Sequence, residues 1–197
     1  MPYDKNIHHR RSIRMRDYDY SYPGLYFITI CTHEKQCLFG HVHNGKMILN
    51  GLGNIVHDEW LNTAKIRKEI DLYEFVIMPN HIHGIIGISC RGVRRTPYVF
   101  GYEYNPVAIN DCQKGVRRTP LQTQSKTIGA LIRGYKCAVS KRVGKSIWQR
   151  NYWEHVIRDG DDYREIANYI NGNPRTWDAD KLFVKQLNEF NKQFETM

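Results

Sequence analysis

Alternation and helical spacing divide the chain into recognisable elements. Pro23-Gly24 reads as a turn that launches a strand from Leu25 to Thr32, and a second short strand is expected at Lys46 to Leu49. Leu52, Ile55, Val56, Trp60 and Ala64 recur at helical intervals and predict an amphipathic helix over residues 51–67. A third strand follows at 71–78, and Pro79-Asn80 turns the chain into a fourth at 81–89. From Ser125 to about Val143, Ile128, Leu131, Ile132, Tyr135 and Ala138 make the apolar stripe of a second long helix. Residues 147–158, rich in aromatic and β-branched side chains, read as extended structure. Asp161 and Asp162 are expected to cap a last helix carrying Tyr163, Ile166, Ala167 and Ile170, which Gly172 and Pro174 close. The order β, β, α, β, β with hairpin-like connections suits an α+β fold, an antiparallel sheet with helices packed on one face.

The fourth strand contains the first chemical question. In VIMPNHIHGIIGI, His81 and His83 stand two apart in one of the most apolar runs of the chain. Side chains two apart on a strand share a face, so both imidazoles aim at one spot while Ile82 turns to the opposite layer. That is the geometry of a two-ligand metal clamp. On spacing alone, two ordinary hydrogen-bonded strand histidines are the commoner case. In the last helix, Tyr169 and Asn173 are four apart and so share a side. A phenol beside a metal-held phosphate is a nucleophile for phosphoryl transfer, whereas a tyrosine that packs and an asparagine that ends a helix before Pro174 are the plain alternative.

Composition narrows the class. A chain of 197 residues, 41% hydrophobic, suits one domain spanning 1–197 with its own core. No stretch approaches the roughly 20 apolar residues of a membrane span, and the basic N-terminal segment lacks the apolar centre of a signal peptide; a cytoplasmic protein without a membrane partner is expected. Five scattered cysteines without C-x-x-C spacing indicate neither a disulfide framework nor a zinc ribbon. The net charge of +9 is regional: residues 90–150 hold thirteen Lys or Arg against Glu103 and Asp111. Arg133, Lys136, Lys141, Arg142 and Arg150 fall in a stretch without any acid, and a one-sign surface suits a polyanion, with nucleic acid the commonest. Arg10, Arg11 and Arg14 belong to a basic N-terminal arm, 1–22, of the kind that reaches along a duplex stem.

Between the fourth strand and the second long helix, residues 90–123 lose all periodicity and repeat GVRRTP at 92–97 and 115–120. Two copies are too few for a solenoid, so the segment reads as a flexible basic insertion. Trp148 and Trp153 are candidates to stack on unpaired bases, with core packing the alternative for at least one. His155 is read as structural, with a contact to DNA the alternative.

Motifs in order, YDYSYPGLYFITICT, VIMPNHIHGII, IGALIRGYK, IWQRNYWEHVIR and DDYREIANYINGNP, extend over the chain apart from residues 90–123. Through them the chain resembles the single-tyrosine transposases with a His-hydrophobic-His motif, especially the REP-associated tyrosine transposases of bacteria. The resemblance implies a ferredoxin-like sheet, His81 and His83 as metal ligands, Asn173 as a third ligand from the tyrosine helix, and Tyr169 as nucleophile. It implies magnesium or manganese as the ion, although imidazole prefers softer metals. It implies single-stranded or hairpin DNA as partner, cut and rejoined through a 5′-phosphotyrosine, by a protein acting as monomer or homodimer. A domesticated hairpin-binding protein without turnover is the alternative.

Overall fold

The computed structural model describes residues 23–89 and 127–184. The expected arm 1–22 and insertion 90–123, with Arg10, Arg11 and Arg14, lie outside them. The elements are β1 (Gly24–Cys31), β2 (Gly40–His43), β3 (Lys46–Leu49), α1 (Gly51–Ile66), β4 (Ile70–Ile77), β5 (His81–Ile88), α2 (Ile128–Val143), β6 (Trp153–Ile157) and α3 (Gly160–Gly172). Short 3-10 turns occupy His33–Lys35 and Asn173–Ala179.

Four strands form one antiparallel sheet in the order β4-β5-β1-β6, and β2 pairs with β3 in a separate hairpin. Because β5 lies between β1 and β4, and β1 between β5 and β6, each of the two helical crossovers skips one strand. This is the split βαβ arrangement of ferredoxin-like folds. Both crossover helices cover the same face. Tyr26, Ile28 and Ile30 of β1 and Ile82, Ile86 and Ile88 of β5 meet Val56 and Trp60 of α1 and Leu131, Ile132, Tyr135 and Val139 of α2 in one buried cluster. The hydroxyl of Tyr135, buried in that layer, donates to the carbonyl of Val56 at 3.0 Å, whereas the Trp60 Nε1 beside it has no hydrogen-bond partner among the described residues. Gly84 makes room for the indole: a Cβ there would lie 2.6 Å from Trp60 Cζ2.

The class and the antiparallel sheet are as the sequence predicts, with one refinement of the layers. Helix α3 comes after the ferredoxin-like unit and packs on the other face, where Tyr163, Ala167 and Ile170, at i, i+4 and i+7, meet Leu25, Phe27, Ile85 and Ile157. Alternation along β5 requires this, since His81, His83 and Ile85 point away from Ile82 and Ile86. A bulge between Leu72 and Phe75 of β4 puts both in the crossover-helix cluster despite their odd spacing.

Boundaries moved slightly. The cap of α3 is Asp159, whose Oδ1 accepts from the amides of Asp161 and Asp162 at 3.0 and 2.9 Å, so the two expected capping residues sit in the first turn. Regular strand at β6 covers Trp153–Ile157, the carboxyl half of the expected extended segment; residues 147–152 are held as a loop by the Thr32–Trp148 bridge. Strand β2 was not foreseen. Its sequence, GHVH, has no apolar alternation of its own and forms by pairing with β3 across Asn44-Gly45, both with positive φ (50° and 69°).

Candidate metal and tyrosine site

The histidines of β5 are buried, His81 completely. Each has a neighbour fixing one ring nitrogen. His83 lies directly across from Thr29 of β1, and Nδ1 is 2.8 Å from the Thr29 hydroxyl. His81 Nδ1 is 2.8 Å from Asn80 Oδ1. The Asn80 amide nitrogen donates both its hydrogens, to Lys35 O at 3.1 Å and Leu182 O at 2.8 Å, so its oxygen must be the acceptor. His81 therefore carries its proton on Nδ1 and keeps a lone pair on Nε2. That nitrogen is buried with no hydrogen-bond partner among the described residues. Burial holds both imidazoles well below their ordinary range, His81 to about 4 and His83, helped by repulsion from His81, to about 3. Both are neutral at physiological pH, the form that binds a metal.

Helix α3 brings the phenol. Tyr169 Oη lies 3.1 Å from His83 Nε2 and 3.2 Å from Asp180 Oδ2. Asn173, at the end of α3 and buried, donates from Nδ2 to the same Asp180 oxygen at 2.7 Å and leaves its Oδ1 buried without a partner. Asp180 follows the Asn173–Ala179 turn. Burial raises its pKa, but the Leu182 amide, Asn173 and the two imidazoles outweigh burial and leave it below the ordinary carboxylate value. His81, His83 and Asp180 each offer a ligand atom, all within 4.8 Å of one another. Tyr169 is shifted the other way, to about 12, by burial and by the Asp180 charge, so its phenol is protonated at neutral pH. Phe27 supports the group from below, its ring packed edge-on against Tyr169 and tilted against His83, and Trp177 tilts against His81.

This donor set fits a divalent cation. Two neutral imidazole nitrogens, an ionised carboxylate and an amide oxygen are borderline and hard donors together. A buried polar atom with no partner costs about 1–3 kcal/mol, and two of them, His81 Nε2 and Asn173 Oδ1, belong to one cluster joined through Asp180.

Sequence reasoning named His81, His83, Tyr169 and Asn173, and the structure brings these four together. It missed Asp180, Asn80 and Thr29. An aspartate in a non-periodic turn gives no signal of its own, and Asn80 was read only as a turn residue. Thr29 was detectable only through the pairing register.

The basic residues separate into different environments. Arg133 and Lys141 are exposed on α2, which packs on the sheet face opposite the histidines. Arg142 turns to α1, pairing with Glu59 at 3.0 Å and Asp58 at 3.7 Å, so the one-sign surface expected from residues 124–150 is partly neutralised by acids from another helix. Lys136 donates to the carbonyls of Gln149 and Asn151, which tethers the loop before β6, and burial lowers its pKa to about 8. Arg150 is exposed on that loop.

No family model matches the chain. An uncharacterised protein of Haemophilus influenzae is 43% identical over 187 residues, covering 92% of this chain and 97% of that one. The chain belongs to that protein's family. A candidate REP-associated tyrosine transposase of the same bacterium is 25% identical over 157 residues, covering 79% of this chain and 73% of that one. A solved REP-associated tyrosine transposase bound to a REP hairpin superposes with a TM-score of 0.53 at 19% identity, covering 85% of this chain and 74% of that one. The chain is thus similar to REP-associated tyrosine transposases in sequence, and shares the fold of the solved one. Among the described residues, no helix is long and apolar enough to cross a membrane.

Proposed function

We propose that this protein is a metal-dependent DNA strand-transferase that binds hairpin single-stranded DNA and cuts and rejoins it with Tyr169 as nucleophile. The observation that carries the reading is the 3.1 Å approach of the Tyr169 hydroxyl to His83 in a cluster that also holds His81, Asn173 and Asp180. His81, His83, Asp180 and the Asn173 oxygen would hold the ion, magnesium or manganese. A divalent ion in that position supplies positive charge that polarises the scissile phosphate and takes up developing negative charge.

The chain's own residues do the rest. Asp180 accepts the hydrogen bond of the Tyr169 hydroxyl and is placed to receive its proton. The phenolate oxygen forms a bond to phosphorus while the P–O3′ bond breaks and O3′ takes up the proton that left Tyr169, leaving a 3′-hydroxyl on one DNA end and a 5′-phosphotyrosine on the other. Attack by another 3′-hydroxyl reverses the exchange and frees Tyr169, so rejoining needs no external energy. Phe27 keeps the phenol over His83. Chain DNA contacts by Arg133, Lys141 and Arg150 would lie along the β6 edge and α2, outside the site itself.

A labelled hairpin oligonucleotide from the DNA flanking the gene, incubated with the protein and manganese, tests the reading. The expected result is a protein-linked product that Tyr169→Phe abolishes. Tight binding with no adduct would instead favour the hairpin-binding protein without turnover.

A further inference from the structure

Alternation places one more aromatic residue in line with the site. Thr29 is directly opposite His83 on one side and directly opposite Trp153 on the other. Paired residues of neighbouring antiparallel strands share a face, so Trp153, Thr29 and His83 form one row across β6, β1 and β5 on the side where Tyr169 stands. Two interstrand steps of about 4.8 Å separate the ends of that row by roughly 10 Å. Phe27 joins the two aromatic ends from below, edge-on to Trp153 at 6.3 Å and to Tyr169 at 6.3 Å.

Trp153 differs from the other tryptophans. Trp60, Trp148 and Trp177 are buried, and Trp148 packs on Phe39 and Tyr135 with its indole N–H donated to Lys136 O, so it is spent on the core. Trp153 is 53% exposed on an edge strand. A lone exposed aromatic ring is ordinary. This one is braced by the T-shaped contact with Phe27, its loop is tethered by Lys136, and its row ends at the phenol-facing histidine. With half of its surface exposed, the braced ring remains accessible to a partner.

We propose that Trp153 is a nucleobase-stacking platform that holds an unpaired base of the DNA strand beside the scissile phosphate. Its partner is the π-face of a base, which every nucleotide has, so the subsite sets the position of the strand more than its sequence. The inference rests on the strand-transferase reading and adds a positioning residue to it.

The test uses the full-length protein with manganese and two probes: a hairpin with a 5′ thymidine extension, and the same hairpin carrying one abasic nucleotide at each extension position in turn. Trp153→Ala should weaken binding of the intact probe by about 5- to 150-fold, the range for losing one stacked base, while Trp153→Phe retains most of the affinity. One abasic position should weaken the wild type by a similar factor and weaken Trp153→Ala no further. Because only Trp153 among the four tryptophans is well exposed, the intact probe should also quench wild-type indole emission and leave that of Trp153→Ala unchanged. Equal affinities for Trp153→Ala and wild type, with Tyr169 adduct still formed, would overturn the stacking platform and leave the strand-transferase standing. Absence of both binding and adduct in the wild type would overturn the two together.

Discussion

The two faces of the central sheet are built from alternate residues of the same strands and do different work. On one, Tyr26, Ile28, Ile30, Ile82 and Ile86 meet α1 and α2 in a layer that is apolar apart from the satisfied hydroxyl of Tyr135 and the unpartnered indole nitrogen of Trp60. On the other, Phe27, Thr29, His81 and His83 meet α3 and the turn after it, in a layer with buried polar atoms lacking partners. The first face stabilises the fold. The second gathers two unpartnered atoms, His81 Nε2 and Asn173 Oδ1, with a carboxylate and a phenol in one cluster, and that convergence of polar groups is what the proposed chemistry rests on.

The contrast can be broken most sharply at the phenol. Tyr169→Phe should eliminate the protein–DNA adduct completely while changing stability by no more than about 1 kcal/mol, because the ring is 44% exposed and keeps its packing on Phe27. On the opposite face the expectation reverses: Trp60→Ala should cost about 3–5 kcal/mol in denaturant unfolding, with metal affinity of the folded fraction unchanged. Between these lies Asn80→Ala, which removes the acceptor that sets the His81 tautomer; manganese affinity measured by calorimetric titration should fall about 10- to 100-fold.

The pH dependence of the ion-free protein separates the faces again. Both histidines titrate below the ordinary value of 6.5, at about 4 and about 3, so between those values and 6.5 the unfolded chain binds more protons than the folded one. Stability should be full above about pH 6.5 and fall as the pH drops, by up to about 1.4 kcal/mol per unit for each histidine. His83→Ala should flatten that slope. The smallest effect is expected at Arg142→Ala on the α2 surface, less than about 1 kcal/mol, since its carboxylate partners are reached across partly exposed side chains.

Much of this was legible in the residues. Helix α1 and strands β3 to β5 match their expected bounds to within a residue or two, because each sets apolar side chains against the core, those of β3 only partly buried. The His81–His83 pair and the Tyr169–Asn173 spacing gave the site's principal side chains, each on an element whose period fixes its direction. Strand β2 escaped because hydrogen bonding to β3, not apolar pattern, makes it a strand, although His-Asn-Gly-Lys at 43–46 holds the Asn-Gly turn signal that announces a hairpin. Asp180 and Asn80 escaped for a different reason: Asp180 meets the histidines of a strand far earlier in the chain, and the carbonyls of Lys35 and Leu182 that orient the Asn80 amide are equally remote from it, which no local pattern encodes. The same holds for Arg142, whose acidic partners come from α1.

The central claim is that two strand-borne imidazoles and a helix-end cluster hold one divalent ion under the tyrosine. Titrating manganese into the full-length protein and into His83→Ala, with calorimetric stoichiometry, tests it most directly. One ion per chain in the wild type, lost in His83→Ala and retained in Tyr169→Phe, is the result expected; equal binding by wild type and His83→Ala, or no binding at all, would contradict it.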